Sequence, residues 1–512
     1  MATPTPARPR GSRPALRGLR QATHSRPRRR SAGRFHQAHH PAVAPRRLAA
    51  NFAALSLAEV ACRATSMTVA LGLAHRLGPA GYGRVEFAFG LVTWLVLLVR
   101  EGLDVIATRE IARHPRLVRP LVNHVLALRG LIASLLFAGV VAAGALAYSE
   151  PADRRVLTLY GLMLLTTATG LDFVFRGTER VRLIAASLVV RTAVYAAGVA
   201  LLVVDPAHVA WVPACLVAGE ATGIAIVWAR YVRLYGLPRP TLRSRRFLAA
   251  LVQRGRTIYV IQVSQAVLAS ADLLVVGVLS GWADVGLYSA PHRLTAAVLT
   301  FGLILQQVVF PGLARSWRAA PDDGRRALDA LVRVLATGLV PLCVGTALLS
   351  GPLVSATLPR EYAGAALLLA IGIWRAPLLI VAHLYQAALI ALNRESAGVR
   401  LPVIGALAAF PLVALMRAAF GLAGAPVAMA TIGLALVAAG HARLAREGRA
   451  PAAHHHLARP LLASALMAGP CWLLARSGLG PAILGSAAVY LAALVALGGL
   501  RRDDLLAIAR RA

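Results

Sequence analysis

Residues 121–182 read LVNHVLALRGLIASLLFAGVVAAGALAYSEPADRRVLTLYGLMLLTTATGLDFVFRGTERVR, and their pattern decides the fold. An apolar run over 121–147 leads into a short turn holding Arg154 and Arg155. A second apolar run over 156–175 then ends on Arg176, Arg180 and Arg182. A bilayer core takes about 20 consecutive apolar residues as a helix. Both runs reach that length, so the stretch predicts a transmembrane helical hairpin with an arginine-rich exit.

The same alternation repeats along the chain. Fourteen apolar spans are expected, at roughly 49–74, 86–107, 121–147, 156–175, 183–204, 209–229, 257–280, 287–312, 330–350, 364–391, 399–416, 421–440, 460–476 and 481–500. All 55 basic residues are arginine. With the N-terminus placed inside, 42 arginines fall on inside segments, seven outside and six within spans. A miscounted helix would invert this positive-inside bias from that point onward. No inversion occurs, so the chain is expected to be an all-α polytopic membrane protein with both termini cytoplasmic.

Composition agrees. The 512 residues are 58% hydrophobic and 15% charged, against about 25% charged in soluble proteins. The net charge of +34 does not predict nucleic-acid binding, because the arginines are spread over many loops. Residues 1–47 carry twelve arginines and no acid. Such a segment cannot build a core and reads as a disordered cytoplasmic tail. Without the apolar stretch of a signal peptide, it is expected to lie on anionic membrane lipid, at about 1 kcal/mol per arginine.

No cofactor or metal is expected. Cys62, Cys215, Cys343 and Cys471 each stand alone in an apolar run and read as packing residues. His454-His455-His456 lies in a basic loop, and no phosphate-binding glycine loop is present.

The longest inside loop follows the sixth span and divides the chain. The expected parts are the tail 1–47, an N-lobe at 48–234, a linker at 235–256, a C-lobe at 257–445, a final helix pair at 459–500 and a tail at 501–512. The turn Leu77-Gly-Pro-Ala-Gly-Tyr-Gly83 enters the second span, and Leu279-Ser-Gly-Trp-Ala-Asp-Val-Gly-Leu-Tyr288 enters the eighth. Six helices separate them with the same orientation. This predicts two parallel six-helix lobes, as in transporters built from repeats.

Charges within spans carry the functional signal, since each costs about 2.5–3.5 kcal/mol at a helix centre. They are Glu59, Arg63, Arg129, Arg191, Glu220, Asp272, Arg293, Arg333 and Arg375. Arg129 and Arg333 lie near cytoplasmic ends and can snorkel. Glu59 and Arg63 are four apart and can pair. Arg375 stands two residues before Pro377, a helix-kinking position. Setting Arg63, Arg129, Arg191, Arg293 and Arg375 against Glu59, Glu220 and Asp272 leaves two positive charges over. That surplus calls for an anionic partner, and a guanidinium binds phosphate bidentately.

Several stretches carry a family resemblance. RLGPAGYGRVEFAFG (76–90), with the following EGLDVIATREIAR, resembles the start of bacterial Wzx-like oligosaccharide flippases of the polysaccharide-biosynthesis family. ASADLLVVGVLSGWADVGLYSAPHRL (269–294) resembles that family's seventh and eighth helices, with Asp272, Gly286, Tyr288 and Arg293 in place. LPREYAGAALLLAIGIW is similar to its tenth-helix entry and GLAGAPVAMA to its twelfth.

The resemblance implies the multidrug/oligosaccharidyl-lipid/polysaccharide exporter superfamily and a bacterial inner-membrane location. It also implies a central cavity and alternating-access export of a polyprenyl-diphosphate-linked glycan, without bond chemistry. Polysaccharide polymerase and glycosyltransferases are the expected partners. Arg63, Arg191, Arg293, Arg375 and Arg129 would hold the anionic cargo, while Asp272, Glu220 or Glu59 would balance charge or couple an ion. A lipid II flippase, a multidrug/cation antiporter and a non-transporting scaffold for glycan assembly are the alternatives.

Overall fold

A computed structural model of the chain describes residues 45–498, apart from 101, 243–244 and 320. Among these residues every regular element is helical. The expected disorder of 1–47 and the tail at 501–512 lie outside the described residues, the former save for 45–47, which are helical. The side chains of His454–His456 lie outside them too.

Pro45–Arg100 is two helices meeting at a kink. Gly78 adopts φ 64°, which glycine reaches without steric cost, and Pro79 then starts the next helix. Residues 45–77 form α1 and 79–100 form α2. There follow α3 (Leu103–Arg113), α4 (Val118–Ala147), α5 (Pro151–Ala168), α6 (Asp172–Gly177), α7 (Val181–Leu202) and α8 (Trp211–Tyr235). The second half holds α9 (Arg245–Leu279), α10 (Trp282–Ala319), α11 (Pro321–Leu348), α12 (Ser350–Thr357), α13 (Ala365–Gly372) and α14 (Arg375–Ala391). It ends with α15 (Glu395–Phe420), α16 (Gly424–Arg446), α17 (Ala453–Leu474) and α18 (Leu479–Ala496).

Each expected span falls on a helix or on two consecutive ones. The span at 86–107 starts earlier and breaks after Arg100, where Gly102 takes φ 75°. The span at 156–175 divides into α5 and α6, and that at 364–391 into α13 and α14. Among the described residues ten segments are long and apolar enough to cross a membrane, and one of them, Glu395–Arg446, contains both α15 and α16. Helices α1, α2 and α10 are not among the ten. They carry Glu59, Arg63, Arg84, Glu86, His292 and Arg293, and most of those side chains line the cavity described below.

Two large apolar cores form. One joins α9, α10, α11, α14, α15 and α16 through residues such as Leu268, Leu328, Leu379, Val413 and Met429. The other joins α1, α2, α4, α5, α7 and α8 through Leu73, Val92, Val140, Leu164 and Val212. Helix α2 runs between them: its Phe87 belongs to the first core and its Val92 to the second. Helices α17 and α18 pack on each other, and α17 also packs on α11.

The two glycine turns meet each other. A Cβ on Gly83 would lie 2.0 Å from the Trp282 carbonyl oxygen, and one on Gly286 would lie 1.9 Å from the Pro79 carbonyl oxygen. Each glycine thus packs on the carbonyl four residues before the other, so the two turns exchange equivalent contacts. Only glycine permits this approach of α2 to α10. The contact lies at the end of the bundle where the connections are poor in arginine. Arg84 and Trp282 reinforce it, since both reach Asp153 on α5, at 3.0 and 3.1 Å.

Candidate functional site

A cavity of about 1000 Å³ opens among α1, α2, α5 to α8, α9 and α10. It runs from the Glu86–Arg293 pair, in the half near the glycine crossing, to Arg100, Asp172 and Arg176 at the arginine-rich end. Its walls carry five arginines, 63, 100, 176, 191 and 293, and four acids, Glu59, Glu86, Asp172 and Glu220.

Local sequence places the pairs. Gly219 and Gly223 lie one helical turn apart on α8, and their missing side chains let α7 approach closely. A Cβ on Gly219 would come 2.5 Å from the Arg191 carbonyl oxygen, the close packing that small residues four apart allow between membrane helices. The approach brings Arg191 to 2.9 Å from Glu220. On the opposite wall Arg293 grips Glu86 with two parallel bonds, Nε at 2.9 Å and Nη2 at 2.5 Å. The Phe89 ring lies 5.7 Å from the Arg293 guanidinium carbon, within cation–π range. Glu86 is on α2 and Arg293 on α10, so this fork ties the two halves of the chain together.

Arg63 and Glu59 both line the cavity. Arg100 bridges Asp104 at 2.6 Å and Asp172 at 2.9 Å. Arg176 also lines the cavity, and among the described residues no acid pairs with it.

The structure places the other predicted residues away from this cavity. Arg129 neither snorkels nor lines it. It is fully buried, bonded to Asp104 and to the carbonyls of Gly170 and Arg100, with its guanidinium over the Phe173 ring. Arg375 is 2% exposed and donates from Nη1 to Asp272 Oδ2 at 2.5 Å. Asp272 is likewise fully buried, and the Tyr288 hydroxyl donates to the same oxygen. The expected surplus of two positive charges therefore changes its members. Arg129, Arg375 and Asp272 leave the sum, Glu86, Arg100, Asp172 and Arg176 enter it, and the cavity wall carries one arginine more than it has acids.

Pro377 has a different role from a hinge beside Arg375. It sits in the first turn of α14, where a missing N–H is tolerated. The Ile373 carbonyl lies four residues before it and accepts from the Ala376 N–H at 3.1 Å and the Cys343 thiol at 3.6 Å. All four cysteines are buried and unbridged. Two of the arginines expected on outside segments also have structural work. Arg76 donates to the last carbonyls of α7, and Arg417 holds Ser280 and Asp284.

Sequence reasoning missed Glu86, Arg100, Arg176 and His292. Glu86 is the first residue of its expected span, where a charge does not stand out as lying within the membrane. Arg100 and Arg176 fall on inside segments, where arginine reads as an orientation signal.

No curated protein matches the chain at a significant level. Solved structures share its fold. A lipid II flippase, MurJ, in an inward closed conformation is 13% identical, with 88% of this chain and 99% of that one covered and a TM-score of 0.68. An inward-facing multidrug resistance MATE family transporter of the MOP superfamily is 13% identical, with 75% and 94% covered and a TM-score of 0.62. VcmN, a MATE transporter of Vibrio cholerae, is 14% identical, with 78% and 97% covered and a TM-score of 0.52. The family described as polysaccharide biosynthesis protein matches residues 48–317. That is more than half of the sequence, and the chain is a member of this family, an all-helical polytopic membrane protein.

Proposed function

We propose that this chain is a flippase for lipid-linked oligosaccharide. It carries a polyprenyl-diphosphate-linked glycan from the inner to the outer leaflet of the bacterial cytoplasmic membrane by alternating access, for O-antigen, capsule or exopolysaccharide export. The observation that carries the reading is the cavity wall. Arg63, Arg191 and Arg293 present guanidinium groups inside an apolar bundle, the chemistry that holds diphosphate oxygens in bidentate contact. Membership of the polysaccharide biosynthesis family supports a glycan as the rest of the cargo.

On this reading the arginine-rich end is cytoplasmic and the glycine crossing closes the outer side. The two lobes, 48–234 and 257–445, rock about the seam that α2 makes with α9 and α10. Glycosyltransferases and a polymerase supply and consume the cargo, and the tail at 1–47 rests on anionic lipid.

The test is translocation of a polyprenyl-diphosphate-linked glycan into vesicles carrying the reconstituted chain. Arg63→Ala and Arg191→Ala should each abolish most transport at normal expression, and unimpaired transport would overturn the reading. A lipid II flippase is the second reading, favoured by the fold shared with MurJ. Loss of viability on deletion supports lipid II, whereas loss of surface polysaccharide supports the first. A multidrug antiporter would show drug efflux that depends on Glu59, Glu86 and Glu220.

A further inference from the structure

A recess of about 250 Å³ lies at the arginine-rich end of α7 and α8 and shares no lining residue with the main cavity. Glu179, Arg180, Arg182 and Arg230 line it, with Val181 and Leu183. The turn between α6 and α7 builds it. The Thr178 N–H donates to the Val174 carbonyl at 2.9 Å and the Arg180 N–H to the Phe175 carbonyl at 2.8 Å, so the chain reverses within three residues. The reversal holds Glu179 at φ 59°, in the left-handed region that few residues with a side chain adopt. Arg180 then stands just before α7 and Arg182 in its first turn, and α8 supplies Arg230 from near its end.

Three guanidinium groups against one carboxylate leave two positive charges on this recess. Arg180 and Arg230 are exposed, and neither forms an ion pair among the described residues. Guanidinium groups gathered in this way suit phosphate oxygens. The helix faces beyond them show what else the ligand carries. On α7, Ala186, Val189 and Ala193 follow Arg182 at helical spacing and are all exposed. The opposite face, with Ser187 and Arg191, is the one that lines the main cavity. On α8 the exposed Thr222, Ala225 and Ala229 lead up to Arg230 in the same manner. Both helices are long and apolar enough to cross a membrane. A cluster of positive charge thus sits at the head of an uncharged surface about three helical turns long.

We propose that the recess binds the phosphate of an anionic phospholipid, in the leaflet beside the arginine-rich end, with its acyl chains along the outer faces of α7 and α8. Basic pockets between membrane helices recognise such head groups by the same chemistry. A free phosphate ion would match the arginines and leave the apolar faces without a role. A zwitterionic lipid would leave the two surplus charges unmatched. Asp172 and Arg176 of the main cavity stand on α6, so the turn that holds the lipid also ends the helix at the cavity mouth. The proposal requires only that α7 and α8 span the membrane and is independent of the cargo.

The test is quenching of a bimane label by brominated phosphatidylglycerol, titrated into phosphatidylcholine nanodiscs that hold the full chain. The label goes on Ala229→Cys, beside the recess, or on Ile404→Cys, an exposed position of α15 that serves as control. The native cysteines are buried and stay unlabelled. Half-maximal quenching at 229 should need at least about fivefold less phosphatidylglycerol than at 404, the effect of one arginine beside an anionic head group. Arg180→Gln together with Arg230→Gln should bring the 229 curve onto the control without changing thermal unfolding. Arg233→Gln, exposed on α8 outside the recess, should leave it in place. Coincident curves in the wild type, or a double variant that quenches like wild type, overturn the proposal. An equal loss in Arg233→Gln shows diffuse attraction without a site and overturns it too. Inorganic phosphate at constant ionic strength should not relieve the quenching; full relief would make free phosphate the ligand and remove the lipid.

Discussion

Replacing Gly286 by alanine puts the closure of the bundle to a quantitative test. The new Cβ would sit 1.9 Å from the Pro79 carbonyl oxygen and 2.6 Å from its carbon. Both are backbone atoms, so no side chain can swing aside. Ordinary contact requires α2 and α10 to separate by about 1.5 Å at that point. Overpacking of this kind costs about 1–3 kcal/mol in a packed interior. If the strain falls only on the state closed at this crossing, the closed-to-open ratio drops about 5- to 150-fold. The reporter is Ser66→Cys, a cavity residue, modified by a membrane-impermeant thiol reagent added from the arginine-poor side. Its rate should rise at least about fivefold on this estimate, and Gly83→Ala should act alike through the Trp282 carbonyl. Gly281→Ala, in the same turn but facing open space, should change nothing. An unchanged rate in Gly286→Ala at wild-type thermal stability would show that this crossing does not hold the bundle shut.

Other perturbations separate stability from transport. Arg375→Ala should destabilise by about 3–5 kcal/mol, because it strands the buried Asp272 carboxylate, whereas Arg129→Ala should cost less, because Asp104 keeps its ion pair with Arg100; thermal unfolding in nanodiscs and expression yield are the measurements. Glu86→Gln alone should cost stability, while Glu86→Gln with Arg293→Gln should recover most of it and still fail in glycan translocation. Arg176→Gln should express and unfold like wild type yet raise the cargo KM severalfold, and the deficit should shrink as salt rises; an unchanged KM would remove Arg176 from cargo capture.

The hairpin at 121–182 and its repeats made the helical membrane fold legible, because apolar run length and arginine placement both follow from the bilayer. Breaks within spans were harder to see. Gly102 follows Arg100 and Glu101, charges that mark a break, but the Ile373–Trp374 turn looks like any other stretch of an apolar run, and its conformation depends on what packs behind it. The charged residues show the limit best. Arg191 and Arg375 sit in similar apolar surroundings in the sequence, yet one lines the cavity and the other is sealed against Asp272. That difference lies in helix rotation and partner choice, which one chain's periodicity does not encode. Gly219 and Gly223 held the clearest overlooked signal, since glycines four apart in an apolar run mark a close helix contact, here the one that brings Arg191 to Glu220.

Pairing changes what the arginines imply about cargo. An unpaired guanidinium in an apolar bundle is costly, so the resting cavity holds matched pairs, Arg293 forked on Glu86 and Arg191 beside Glu220. An anionic head group can bind there only by displacing a carboxylate from its arginine. A cationic drug would have to displace an arginine from its carboxylate. For each of these two pairs the exchanges are symmetrical, so the choice rests on the one arginine that the cavity wall carries beyond its acids. The choice falls to the arginine-rich end, where Arg176 adds a positive charge that no acid among the described residues pairs with. On the proposed function, selectivity for anions is set at entry, with the paired arginines taking the cargo over once it has displaced their acids. Release of Glu86 from Arg293 at that moment also removes one of the ties between α2 and α10. Anion binding and opening of the far side thus draw on the same bond, which is what a transporter needs if it is to move only when loaded.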